Sequence, residues 1–184
     1  VMKKYLYLVA IALVSCGAVL SSCSDDKISG DSIFSTKAVE RNAFDQWLYK
    51  NYTMPYNIDF QYRLKTEETE QAYNFVPADS AKTVKLAILT KYMWFDAYAE
   101  TVGLDFIKEN APRIIVVTGT PGYTRYRTEV IGSAEGGYKV RLGKVNALTD
   151  EQLKDYGSMN NYYFHTMHHE FMHILNQKKP YDES

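Results

Sequence analysis

The 184-residue chain predicts a single α+β domain. Two observations carry that expectation. Apolar residues recur at helical spacing in well-separated stretches, and the segments between them alternate or run short and β-branched, as strands do. The order is helix, strand, helix, strand, hairpin, helix, helix, with no internal repeat and no low-complexity tract.

Residues 1–22 stand outside that domain. Lys3 and Lys4 precede an apolar run, Tyr5–Leu20, that is too short to span a bilayer and ends in small residues, as a secretory leader does. The ending Leu20-Ser21-Ser22-Cys23 resembles the bacterial lipobox, in which cleavage precedes a cysteine that is then lipidated. Residues 23–37 then form a polar lipidated tether, and residues 38–184 the folded domain. Loss of residues 1–22 removes two lysines and moves the formal charge from −1 to −3, which offers nucleic acid no basic surface. It also removes Cys16, and lipid takes Cys23, so the domain holds no cysteine. Disulfides, thiol nucleophiles and thiolate metal ligands are thereby excluded.

The domain opens with a helix from about Ala38, with Val39, Ala43, Trp47 and Leu48 on one stripe and Pro55 expected to end it. Residues 57–64 alternate Ile58, Phe60, Tyr62 and Leu64 against polar neighbours, a half-buried strand. Residues 79–102 predict the longest helix. Its stripe is read as Val84, Ile88, Tyr92, Phe95, Ala99 and Val102, with Gly103 as its stop, and Trp94 and Phe95 are expected in the core. The β-branched run 113–119 predicts a buried strand, and residues 128–145 a hairpin turning at Glu135–Gly137. Thr149 and Gln152 form a capping-box pattern for a short helix that Gly157 ends, and Ser158 is the expected cap of the last helix.

That last helix carries all four histidines of the chain, His165, His168, His169 and His173. His169-Glu170-Phe171-Met172-His173 is an HExxH motif. Residues four apart on a helix face the same way with a rise of ~6 Å, so both imidazoles meet one zinc ion. Glu170, at the edge of that face, reaches a zinc-bound water without ligating the metal and serves as the general base for attack on a carbonyl. The uncharged flanks Thr166, Met167, Phe171, Met172, Ile174 and Leu175 suit a buried active-site helix. His165 stands either as a spare donor one turn earlier or as a helix-start residue in water, and His168 points away.

The lipobox with the acidic stretch Ser24-Asp25-Asp26-Lys27, the tyrosine-rich α+β region and "HHEFMHILNQKKPY" together resemble the Bacteroidetes substrate-import-associated zinc metallohydrolase lipoproteins. The resemblance implies a zincin-like subdomain with a mixed sheet and an HExxH active-site helix. It also implies zinc as cofactor on His169 and His173, Glu170 as the catalytic base, lipidation at Cys23, and Gln177 near the helix face of the site. Its implied setting is the outer membrane, lipid-anchored at the cell surface, beside a TonB-dependent transporter and its substrate-binding lipoprotein, with a peptide or protein as substrate. The alternative is a non-enzymatic surface lipoprotein that binds substrate or partner there.

Asn176 and Lys179 stand where a metzincin needs glycine and histidine, which excludes that subclass. Downstream acids are limited to Asp182 and Glu183 in a terminal segment. The third zinc ligand is therefore expected beyond Ser184, the chain reads as the N-terminal part of a longer protein, expected to bind zinc weakly and to be inactive alone, and the Phe171–Leu175 face is expected to lie uncovered.

Overall fold

Asn42 and Asp45 begin the structured part. The structure, a computed structural model, describes residues 40–65, 67 and 69–179. The leader, Cys23, the tether, Ala38, Val39, Asp182 and Glu183 lie outside the described residues. Asn42 Oδ1 accepts the Asp45 N–H at 2.7 Å and Asp45 Oδ2 accepts the Asn42 N–H at 3.3 Å, a reciprocal cap that sets the start of helix α1. Ala43–Leu48, a π-helical turn Tyr49–Thr53 and Met54–Tyr56 run on as α1. Pro55 lies inside this helix, not beyond its end. The π turn restarts the α-helical segment at Met54, so Pro55 occupies an opening position, where a proline's missing N–H costs least. The stop comes from Asn57, in the left-handed region at φ 56°.

Strand β1, Asp59–Gln61, is shorter than the predicted 57–64. Ile58 and Phe60 are buried as expected, but so is Gln61, whose amide donates to Asp59 at 2.7 Å. The chain leaves the sheet there because Tyr62 and Arg63 turn back to the N-terminus of α1, donating to Asp45 at 2.7 and 2.8 Å.

Helix α2 comprises Ser80–Thr90, the π turn Lys91–Asp96, and Ala97–Val102. Asp79 caps it by accepting from Lys82 N–H at 2.9 Å, and Gly103 at φ 98° ends it. Trp94 and Phe95 are fully buried, as predicted. The predicted stripe is overturned, since Ile88, Tyr92 and Val102 face solvent while Thr83, Leu86, Ala87 and Thr90 face the core. Two buried threonines disguise the inner face, and the π turn lets the consecutive residues Trp94 and Phe95 both point inward. A further helix that the sequence reading missed, α3 (Leu104–Asn110), follows directly.

Strand β2, Ile114–Val117, pairs parallel with β1 and with β6, Lys139–Leu142, while β5, Gly132–Glu135, runs antiparallel at the outer edge of β6. The sheet order is β1-β2-β6-β5, a mixed sheet as expected. Gly136 and Gly137, at φ 60° and 70°, are the left-handed central residues of the turn that Tyr138 closes by donating its N–H to the Glu135 carbonyl at 3.2 Å, within the three-residue connection between β5 and β6. Before it, β3 (Gly122–Tyr123) and β4 (Glu129–Val130) form a small separate ribbon.

Val145–Ala147 makes a 3₁₀ turn. Helix α4, Asp150–Lys154, has the predicted Thr149–Gln152 capping box. It stops at Asp155 rather than Gly157, and Asp155, not Ser158, caps the next helix by accepting the Ser158 N–H at 2.8 Å. Aspartate takes the cap because its carboxylate reaches a backbone N–H three residues ahead. Tyr156–Met159, the π turn Asn160–Phe164 and His165–Lys178 form α5.

The core lies where α1, α2 and α5 meet the sheet, with Tyr52 against Phe60 and Phe95 (ring centroids 5.0 and 5.7 Å) and Trp94 against Phe171 (5.6 Å). Phe171 and Ile174 are fully buried, so the Phe171–Leu175 face is covered, contrary to expectation. Helices α2 and α3 supply the cover, through Trp94, Tyr98 and Phe106. Among the described residues, no helix is long and apolar enough to cross a membrane.

Candidate metal centre

Helix α5 divides its side chains by face. Met167, Phe171 and Ile174, spaced by four and three, are fully buried and anchor it. The opposite stripe, His165, His169 and His173, is exposed. His169 Nε2 and His173 Nε2 stand 3.0 Å apart, with their rings at 84° and 4.6 Å between centroids. Without a metal, such a contact is a hydrogen bond in which one ring donates to the other.

Glu170 is turned inward from this pair, 8% exposed. Burial pushes its pKa above the ordinary carboxylate value, while His169, His173, Arg141 and the Ala134 backbone N–H pull it back. Strand β5 passes over it closely. A Cβ on Gly132 would stand 2.3 Å from Thr166 Cγ2 and 3.4 Å from Glu170 Cγ. Gly132→Ala is therefore expected to cost ~1–3 kcal/mol by overpacking, and the double variant Gly132→Ala/Thr166→Ser to recover most of it. Denaturant titration of the two variants beside the parent checks this, and equal losses in the single and double variants would refute the close packing.

His168 faces the other way, as predicted. Its Nδ1 lies 3.3 Å from the Tyr98 hydroxyl, and burial, followed by His165, holds its pKa below the usual value. His165 stacks at 6.2 Å from the His169 ring and does not converge with the pair. Gln177 lies against the β5–β6 turn, its Oε1 3.5 Å from where a Cβ on Gly137 would stand. Among the described residues, no group of three His, Cys, Asp or Glu forms a metal cage.

The sequence reading missed the support beneath β5. Arg141, directly across from Ser133 in the β5–β6 register, is 2% exposed. Its Nε donates to Glu70 at 3.0 Å, and its other nitrogens donate to the Val130 and Ile131 carbonyls at 3.4 Å. Ser133 also donates to Glu70. Burial raises the Glu70 pKa, but Ser133 and Arg141 outweigh it and hold the carboxyl below its usual range. The available signal was a lone arginine inside an apolar strand run, and its partner lies 71 residues earlier.

The family described as "Putative zinc-binding metallo-peptidase" matches residues 37–184. The chain belongs to this family. It is also similar to the crystal structure of a putative zinc-binding metallo-peptidase from Bacteroides caccae, at 44% identity and a TM-score of 0.59. That match covers 83% of this chain and 57% of the other, so the chain spans little more than half of that relative's length. Comparison with curated proteins gave no match.

The donor pair of this metallo-peptidase family member fits zinc as far as it goes. Two nitrogens each ~2.0–2.1 Å from one tetrahedral zinc stand about 3.3 Å apart, close to the 3.0 Å observed.

Proposed function

We propose that this chain carries the zinc-binding helix of a zincin-like metallohydrolase that cleaves peptide bonds. His169 and His173 hold the metal, and Glu170 is the catalytic base. The observation that supports this reading best is the 3.0 Å approach of two imidazole nitrogens with a buried carboxylate on the next residue. Zinc, when bound, supplies Lewis acidity at the carbonyl to be cleaved. Glu170 takes a proton from the attacking water and returns it to the leaving nitrogen, a task helped by a pKa moved toward neutrality. The packed Phe171 and Ile174 keep the helix from rotating the three groups out of register.

The wider setting belongs to the same proposal. Leu20–Cys23 supports a lipid anchor on Cys23, and the resemblance to import-associated lipoproteins supports work at the outer-membrane surface beside a TonB-dependent transporter.

The deciding experiment is zinc titration of the full-length protein by calorimetry. Parent protein is expected to bind one equivalent, and His169→Ala and His173→Ala each to weaken binding by more than ~10-fold, since each removes a ligand outright. If both variants bind zinc like the parent, the helix is not the metal site, and the non-enzymatic lipoprotein reading takes its place.

A further inference from the structure

We propose that the cleft between Lys144 and Tyr162 is a subsite for a substrate carboxylate, two helical turns before the histidine pair. Naming a peptide as the carrier of that carboxylate rests on the peptidase reading above. The cleft is small and opens to solvent. Ala147, Leu148 and Tyr163 give it an apolar lining, and Lys144, Gln152 and Tyr162 supply its polar groups.

Those polar groups are biased toward donation. The Gln152 Oε1 already accepts the Thr149 N–H at 3.0 Å, so what the side chain offers is its amide NH₂. Lys144 Nζ lies 5.2 Å from the centre of the Tyr162 ring and pairs with Glu129 of β4. An ammonium has three protons, so one carboxylate does not saturate it. The Glu129 pair is also open to water, with side-chain exposures of 24% for Lys144 and 38% for Glu129, and a pair that open is weakly held. A second acceptor can share the lysine. An apolar lining with a cation at the rim suits a carboxylate on a short aliphatic stem, as in a glutamate side chain.

The position relates the cleft to the candidate centre. Tyr162, inside the π turn, precedes His165, His169 and His173 along α5. Seven residues of helix separate Tyr162 from His169, a rise of about 10 Å. An extended peptide advances ~3.3 Å per residue, so a side chain in the cleft belongs about three residues from the bond at the histidines. Tyr163 fixes the wall, its hydroxyl donating to the Gly143 carbonyl at 2.9 Å and so tying α5 to the loop that bears Lys144.

The test is binding rather than turnover, measured on the 184-residue chain without zinc. Fluorescence anisotropy is read with three labelled hexapeptides: one with an internal glutamate and an amidated end, its glutamine counterpart, and the glutamine peptide with a free C-terminal carboxylate. The glutamate peptide is expected to bind ~10-fold tighter than its amidated glutamine counterpart. Lys144→Met should erase that preference. Glu129→Gln should widen it, because it removes a competing like charge while leaving the lysine. Both substitutions break the same ion pair, so a merely structural role would move them together, and opposite signs identify a subsite. Tighter binding of the free-ended peptide alone would assign the carboxylate to the chain terminus. Equal binding of all three, or a preference that survives Lys144→Met, or one reduced by Glu129→Gln, would overturn the proposal. None of these results depends on cleavage, so the subsite and the peptidase reading can fail separately.

Discussion

Glu170→Gln is expected to retain zinc and to lose hydrolysis by ~10²–10⁴-fold, the contribution of a positioned acid–base group. The amide is nearly isosteric with the carboxylate and still accepts the Ala134 N–H, so the helix and its histidine pair keep their geometry. What disappears is the site that takes and returns a proton. Stability should hold or rise slightly, because the charged form of the native carboxyl is disfavoured by burial and a neutral amide is not. Metal content and peptide cleavage are measured on one preparation of the full-length protein, beside His169→Ala. A glutamine variant that loses zinc as readily as the histidine variant would make Glu170 a ligand and refute this division of roles.

Phe171→Ala is expected to cost ~3–5 kcal/mol, the range for deleting a fully buried aromatic ring. The ring has no exposure and meets Trp94, Tyr98 and Phe106 edge-on, at 5.6, 5.0 and 6.3 Å. Those partners come from α2 and α3, so the cavity would open between the motif helix and both of its supports. Zinc affinity should fall as well, although Phe171 touches no metal, because the histidines lose the backing that aims them. Met172→Ala, one residue along and 43% exposed, should stay within ~0.5 kcal/mol of the parent. Urea unfolding of the pair checks both, and similar losses at the two positions would mean that the helix does not sort its faces as described.

The contrast between these neighbours shows what the sequence made legible. Local chemistry was readable, since the β-branched run 114–117, the glycine pair at the hairpin turn and the Thr149–Gln152 box need only their own neighbours. The histidine pair was readable for the same reason, four residues apart on one helix. Which face of α2 is buried was not readable, because Thr83 and Thr90 are polar by composition and become core only through what packs on them. The cover over Phe171 was hidden likewise, being supplied by residues 65 to 77 positions earlier in the chain, from Phe106 to Trp94. Arg141 and Glu70 were hidden by distance along the chain.

The three π turns among the described residues, at Tyr49–Thr53, Lys91–Asp96 and Asn160–Phe164, bear on how this chain is lined up against its relatives. A π turn closes its hydrogen bond one residue later than an α turn does, so each holds one residue that its helix does not need for continuity. A homologue with a plain α-helix at any of these places would be one residue shorter there, with matching packing on either side. Its alignment would then show a single gap inside a helix, a position where gaps are ordinarily taken as errors. Moving that gap outward to the nearest loop would shift every intervening residue by about 100° round the helix. In α5 the nearest loop precedes Tyr156, so that move would misplace the first turn of the helix, and only a gap carried past Lys178 would set the histidine pair against the wrong residues of the relative.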